Sequence, residues 1–114
     1  MNTDRELLEL AAKAAGLRIV DRSHPVTLYV ESEGCKGGVR WNPLTDDGDA
    51  FRLAVKLELP IAHHGKRELF VQVLLRPGLC FYEPHGDDKN AATRRAIVRA
   101  AAEIGRQMQE GGAA

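Results

Sequence analysis

Apolar residues near the start of the chain recur at the spacing of an amphipathic helix. Leucines and alanines between residues 7 and 14 share one face, at intervals of three and four residues. Thr3 and Glu6 have the spacing of a capping box, in which each side chain binds a backbone N–H that the helix leaves unpaired. Gly16 suits the left-handed position just beyond a helix end. The pattern predicts a helix over residues 4–15.

Residues 17–41 have the β-branched and aromatic composition of strands. The runs 17–21 and 26–31 are separated by Ser23-His24-Pro25, and a glycine-rich turn follows them. We predict two strands here and leave a third, at residues 39–41, as an option.

A second helix is predicted between Pro43 and Pro60. Thr45 or Asp46 can cap it, and three aspartates place negative charge at its positive N-terminal end. We predict that its buried stripe consists of Ala50, Phe51, Leu53, Ala54 and Leu57.

A polar loop over residues 63–67 precedes a predicted β-hairpin. Its strands cover residues 68–75 and 79–83, and Pro77-Gly78 suit a type II turn between them. Most positions on both faces of the first strand are apolar, so we expect that strand to be central and covered on both sides.

The last helix is predicted to start near Asp88 or Asn90 and to run to about Met108. Gly105 lies late in this helix and weakens it by about 1 kcal/mol relative to alanine.

The predicted order of elements is therefore α-β-β-(β)-α-β-β-α, without repeated βαβ units. This order favours a single α+β domain over residues 1–114. We expect a mostly antiparallel sheet of about four or five strands with helices on both faces.

Composition narrows the function classes. Lysine plus arginine and aspartate plus glutamate both number 16, so the chain lacks the overall basic excess typical of nucleic-acid binders. Two cysteines are too few for a disulfide framework and favour free thiols in a reducing compartment. The polar N-terminus has no secretion signal, and no apolar run approaches the ~18 residues of a membrane span. These features predict a cytoplasmic protein.

Two segments carry a resemblance to a known family. The first has the pattern Trp-x-Pro, acidic turn residues, then Ala-x-x-Leu-x-x-x-Leu, and the second is the stretch 92–100 in the closing helix. Together they resemble a group of small phage and prophage proteins described as an α/β/α-sandwich domain of uncharacterised function. The resemblance implies a sandwich fold and a viral or prophage origin, hence the cytoplasm of a bacterial host, and it transfers no catalytic residue. The matching residues of the first segment are Trp41, Pro43, Asp46, Asp47, Ala50, Leu53 and Leu57.

A histidine and aspartate cluster is the candidate metal site. Imidazole and carboxylate are suitable ligands for zinc or a harder divalent ion. Adjacent histidines point in different directions on a strand, and an aspartate just before a helix is common as a cap. Solvated histidines with a helix cap are the alternative interpretation. The candidate ligands are His63, His64, His85 and Asp87.

Arginines on the last helix are the candidate nucleic-acid contacts. Arg95, Arg99 and Arg106 share a face and could follow a phosphate backbone. Glu103 is spaced to pair with either of two of them, so a salt-bridged surface is the alternative. Trp41 is a candidate for a protein interface, because aromatic residues anchor interfaces when they are exposed; a place in the core is the alternative.

No set of residues converges on a recognisable chemistry. The main hypothesis is therefore a small non-enzymatic accessory protein without a cofactor or metal, which acts by binding a protein partner; self-association is one form of it. The alternatives are nucleic-acid binding through the last helix and, less favoured, a metal-dependent hydrolase that uses the histidine and aspartate cluster.

Overall fold

The part of the chain that the structure describes is an α+β fold with three helices and six strands. This computed structural model describes residues 3–64 and 70–111. The elements, in chain order, are α1 (Asp4–Ala14), β1 (Ile19–Asp21), β2 (Leu28–Ser32), β3 (Cys35–Trp41), α2 (Asp47–Lys56), β4 (Ile61–His64), β5 (Phe70–Arg76), β6 (Leu79–Pro84) and α3 (Lys89–Gly111).

The strands form two antiparallel sheets of three strands, with the orders β1-β2-β3 and β4-β5-β6. The predicted α+β class and antiparallel pairing are confirmed, but the prediction of one sheet with four or five strands is wrong. The chain leaves the first sheet at Asn42, whose carbonyl oxygen accepts the backbone N–H groups of Thr45 and Asp46. This turn directs the chain into α2, and the next strand begins a second sheet instead of extending the first.

Strand β4 replaces part of the predicted polar loop. Ile61 is opposite Val73, and His63 is opposite Val71. All four β4 residues are exposed, so the segment lacks the apolar alternation that identifies a half-buried strand. The rest of that loop, with the first two residues of the predicted hairpin strand, lies outside the described residues.

Strand β5 is central in its sheet, as predicted, but only one of its faces is fully covered. Val71 and Val73 are completely buried, whereas Gln72 and Leu74, which alternate with them along the strand, are half-buried. Helix α3 packs against β5 and β6, and α1 and α2 pack against α3. One apolar cluster includes residues from all three helices and both sheets.

Helices α1 and α3 pack so closely that their backbones are in contact at Gly105. The capping box of Thr3 and Glu6 is confirmed at the start of α1, and the Asp88 side chain accepts the Ala91 N–H at 2.9 Å at the start of α3. A Cβ atom on Gly105 would lie 2.0 Å from the carbonyl oxygen of Leu10. Gly105 is therefore required for the contact between the helices, whatever it costs α3 in helix propensity.

Candidate protein-binding face

Helix α2 has an apolar face on each side. Ala50, Leu53 and Ala54 are buried as predicted, but Phe51 is 68% exposed and Val55 is 59% exposed. The prediction that Phe51 belongs to the buried stripe is wrong because successive helical residues are rotated by about 100°, which turns its ring away from the core. Phe51 and Val55 are four residues apart and so form a second stripe on the outer surface.

An open groove borders this outer stripe. It has a volume of about 600 Å³ and lies between α2, the edge strand β4 and the first half of α3. We define the α2–β4 face as this groove together with Phe51, Val55 and Ile61, which is itself 38% exposed. The apolar residues that line the groove are Ala50, Phe51, Ala54, Ile61 and Ile97.

The charged groups at the α2 end of the groove bind one another. Arg94 Nη1 lies 2.5 Å from Asp47 Oδ1, and Arg94 Nε donates to the Leu44 carbonyl oxygen at 2.8 Å. The Asn90 side-chain amide donates to the other oxygen of Asp47 at 3.2 Å. These contacts connect the start of α2 to α3 and give the side chains of Asp47, Arg94 and Asn90 hydrogen-bond partners within the protein. Contact with a partner can therefore come from the apolar surface without breaking a strong ion pair.

Two histidines meet at the opposite end of the groove. His63 Nδ1 lies 3.2 Å from His85 Nε2, so one of the two nitrogens carries the proton of a hydrogen bond. His85 is 4% exposed, and its Nδ1 has no hydrogen-bond partner in the described structure. Burial lowers the pKa of His85 below its ordinary value, and the neighbouring His63 and Lys89 lower it further. His85 therefore favours the uncharged state.

The structure brings together only two of the four candidate metal ligands. His64 points to the other side of β4, where it hydrogen-bonds Gln72 at 3.0 Å and stacks on Phe70. Asp87 does not line the groove. Within residues 3–64 and 70–111, no group of three or more histidine, cysteine, aspartate or glutamate side chains is placed to hold a metal ion.

The three candidate arginines of α3 line a second cleft, and each binds a carboxylate there. Arg95 pairs with Asp4 at 3.1 Å, and Arg99 pairs with Glu83 while its guanidinium lies 5.2 Å from the Phe81 ring. Arg106 binds Glu103 and Glu110. The hydrogen bond from Arg106 lowers the pKa of the Glu103 carboxyl group. The positive charge of this cleft is thus matched locally by acids.

Trp41 lies in the core, with 7% of its surface exposed. The next residue, Asn42, is also buried and connects two segments. Its amide nitrogen donates to the Val26 carbonyl oxygen at 2.8 Å, and its side-chain oxygen accepts the Leu44 N–H at 3.0 Å. The Trp41-Asn42-Pro43 motif thus holds the β3–α2 turn against the segment that precedes β2. A binding role for Trp41 stays a prediction.

The outer stripe of α2 could have been found in the sequence. Phe51 and Val55 are at positions i and i+4, each offset by one residue from a buried alanine, Ala50 or Ala54. The groove could not have been found in the sequence, because β4 has no strand pattern and because α3, which forms another of its walls, is distant from α2 in sequence.

No protein-family model matches the chain, and comparisons with curated proteins and with solved structures find no match. None of the helices within the described ranges is both long enough and apolar enough to cross a membrane.

Proposed function

We propose that the protein acts by binding another protein through the α2–β4 face. The observation that carries this proposal is the exposure of Phe51, a large aromatic side chain on a regular helix, next to exposed Val55. Isolated exposed apolar residues are ordinary, but an aromatic residue beside a second apolar side chain and an apolar groove is typical of an interface anchor.

The chemistry of the groove favours a protein partner over a reactive substrate. Two of its charged side chains, Asp47 and Arg94, are engaged with each other, and the lowered pKa of His85 favours the neutral form of that imidazole. A hydrolase would need groups that are free to bind a metal or activate water. An apolar floor bordered by an internal ion pair instead resembles one half of a protein–protein interface.

The charge distribution supports a protein partner over nucleic acid. The chain is neutral overall, and Arg95, Arg99 and Arg106 each bind an acid. Contact with a phosphate backbone would have to displace those carboxylates. The phage or prophage origin and the cytoplasmic location remain proposals, which rest on the sequence alone.

Site-specific photo-crosslinking in the cells that produce the protein tests the proposal. A benzophenone amino acid is placed at Phe51 and, as a matched control, at Val26, which is 61% exposed but lies in the segment before β2. We expect a protein adduct of defined mass from position 51 that is missing from position 26. The same adducts from both positions, or none from position 51, would remove the proposal.

A further inference from the structure

We infer that the partner contributes an extended strand of a different protein, which pairs with the outer edge of β4 and covers the α2–β4 face. This inference rests on the proposed function and names the kind of segment that the same face binds. The hydrogen-bond register of β4, the apolar groove beside it and the charge at the histidine end of that groove carry the inference.

The outer edge of β4 has four backbone groups that its own sheet does not use. The Leu74 N–H donates to the Pro60 carbonyl oxygen at 3.0 Å, and hydrogen-bonded pairs alternate along an antiparallel ladder. Every second residue of β4 is therefore bonded to β5, and the residues between them, Ile61 and His63, direct their N–H and C=O groups away from β5. Strand β4 lies at the edge of its sheet, and among the described residues no loop backbone pairs with these groups.

The two edges of this sheet differ in how they are covered. At the β6 edge, Arg99 Nη1 donates to the Tyr82 carbonyl oxygen at 3.1 Å, and the strand ends at Pro84, which has no N–H. Proteins commonly blunt an exposed edge with proline, lysine or a bulge. The four residues of β4 include neither proline nor lysine, and their pairing with β5 has no bulge. The β4 edge is thus the one that can accept a further strand.

The groove provides a place for alternate side chains of an added strand. Ile61 and His63 both line the groove, so residues directly opposite them on that strand also point towards it. Phe51 and Ala54 of α2 line the same groove. Apolar side chains at the two opposite positions would contact α2 and remove the exposed Phe51 ring from water. We therefore expect the partner segment to have two apolar residues separated by one residue.

The charge around the groove favours an acidic residue beside that apolar pair. Lys89 lines the groove near the histidines, where its charge contributes to the lowered pKa of His85. Asp47 and Arg94 bind each other, whereas Lys89 has no carboxylate partner among the side chains that the structure describes. An aspartate or glutamate at the end of the partner segment would supply this partner.

A strand of a different protein complements the groove better than β4 of a second copy. Antiparallel pairing of two β4 strands would present Ile61 and His63 of the second copy to the groove. The imidazole of His63 is hydrogen-bonded to His85 of its own chain at 3.2 Å, so a second copy would supply only one apolar side chain and no acid.

The small size of the contact indicates a weak affinity for an isolated strand. Four backbone hydrogen bonds and two buried side chains amount to less than the roughly 800 Å² per partner of a standard interface. We therefore expect a peptide strand to bind with a dissociation constant of roughly 0.1–1 mM.

Amide hydrogen exchange of the complete chain, followed by NMR during titration with a peptide, tests the pairing. The probe is the acetylated and amidated peptide Glu-Thr-Val-Thr-Val-Thr-Glu, which has two valines on one face and an acid at each end. At millimolar peptide we expect exchange of the Ile61 and His63 amides to slow several-fold. Exchange of the Ala62 and His64 amides should stay unchanged, because these groups already bind β5.

The matched control is the same peptide with a methyl group on the backbone nitrogen of each valine. It keeps every side chain but loses the two N–H groups that bind the carbonyl oxygens of Ile61 and His63. We expect it to bind at least about tenfold more weakly than the unmethylated peptide.

The variant Ile61→Pro tests the same edge in the cells that produce the protein. The N–H of residue 61 faces away from β5, so proline removes an outer donor without removing a bond of the sheet. Ile61→Val is the control, which keeps the N–H and a β-branched side chain. With benzophenone at position 51, we expect the adduct to fall several-fold in Ile61→Pro and to persist in Ile61→Val. The peptide titration needs no substitution and decides the pairing even where proline lowers the melting temperature.

Several results would overturn the inference. These are unchanged exchange of the Ile61 and His63 amides at millimolar peptide, equal binding of the methylated peptide, or an adduct from position 51 with twice the mass of one chain. If the peptide fails while position 51 still gives an adduct with a different protein, the added strand is refuted and the proposed function stands. If the peptide fails and position 51 gives no adduct, both are refuted.

Discussion

At the scale of single residues, Asn42 gives the Trp41-Asn42-Pro43 motif its structural role between β3 and α2. Its buried side chain uses both donor and acceptor to join the segment before β2 to the β3–α2 turn. An asparagine in a turn is often read as a solvated turn former. Here it is the polar centre of a tertiary contact.

Replacing Asn42 by alanine should destabilise the protein by about 2 kcal/mol, because two part-buried hydrogen bonds, to the Val26 carbonyl and from the Leu44 N–H, would be lost together. Urea denaturation measures the change. Asn90→Ala, which removes one exposed hydrogen bond to Asp47, is the control and should change the free energy of unfolding by roughly 0.5 kcal/mol or less. Equal effects of the two variants would contradict the role given to Asn42.

His85 should make stability depend on pH on the acid side of neutrality. Its pKa is lower in the folded protein than the ordinary value of 6.5, so below that value the unfolded chain binds more protons than the folded one. Stability should therefore be fully present above the ordinary pKa and fall as the pH drops from about 6.5 towards the lower folded pKa.

Denaturation midpoints measured between neutral pH and mildly acidic pH test this dependence. His85→Gln should flatten the acid-side decline, whereas His64→Gln, an exposed position on the other side of β4, should retain it. A decline that is as steep in His85→Gln as in the wild type would contradict the assignment.

At the scale of elements, local sequence patterns predict an element correctly where contacts between residues close in sequence determine it. The capping box and apolar face of α1, the β5–β6 hairpin and the caps of α2 and α3 follow from contacts within a few residues. Strand β4 has no such pattern, because its pairing with β5 holds it while its side chains stay in water. The division into two sheets also depends on contacts between distant segments.

At Gly105 a contact between distant segments reverses the expectation from local sequence. Helix propensity alone predicts that Gly105→Ala stabilises α3 by about 1 kcal/mol. The structure predicts the reverse sign, a net loss of roughly 1–3 kcal/mol, because the added methyl group meets the Leu10 backbone and α1 must move away.

The matched control for that substitution is Gly111→Ala, in the same helix but with open space around the position of the new Cβ atom. It should leave the free energy of unfolding nearly unchanged. Thermal denaturation of both variants gives the comparison, and a stabilised Gly105→Ala would show that α1 and α3 are not in close contact.

At the scale of the whole molecule, the protein has a structural interior and, on α2, the surface that we propose binds a partner. Trp41 and most of the alanines of α3 belong to the buried core, and the arginines of α3 form ion pairs with nearby carboxylates. The outer stripe of α2 and the groove beside it are left without an internal role. The sequence-based choice of binding residues, Trp41 and the arginines, differs from this surface because burial and ion pairing follow from the assembled fold.

The central claim is that Phe51 is covered by a protein in the cell. Hydroxyl-radical labelling measures this without any substitution, as the oxidation of Phe51 relative to Tyr82, which is 53% exposed and lies on β6. In dilute purified protein both rings should be labelled. In intact cells the account predicts that the ratio of Phe51 to Tyr82 labelling falls several-fold. An unchanged ratio would contradict it.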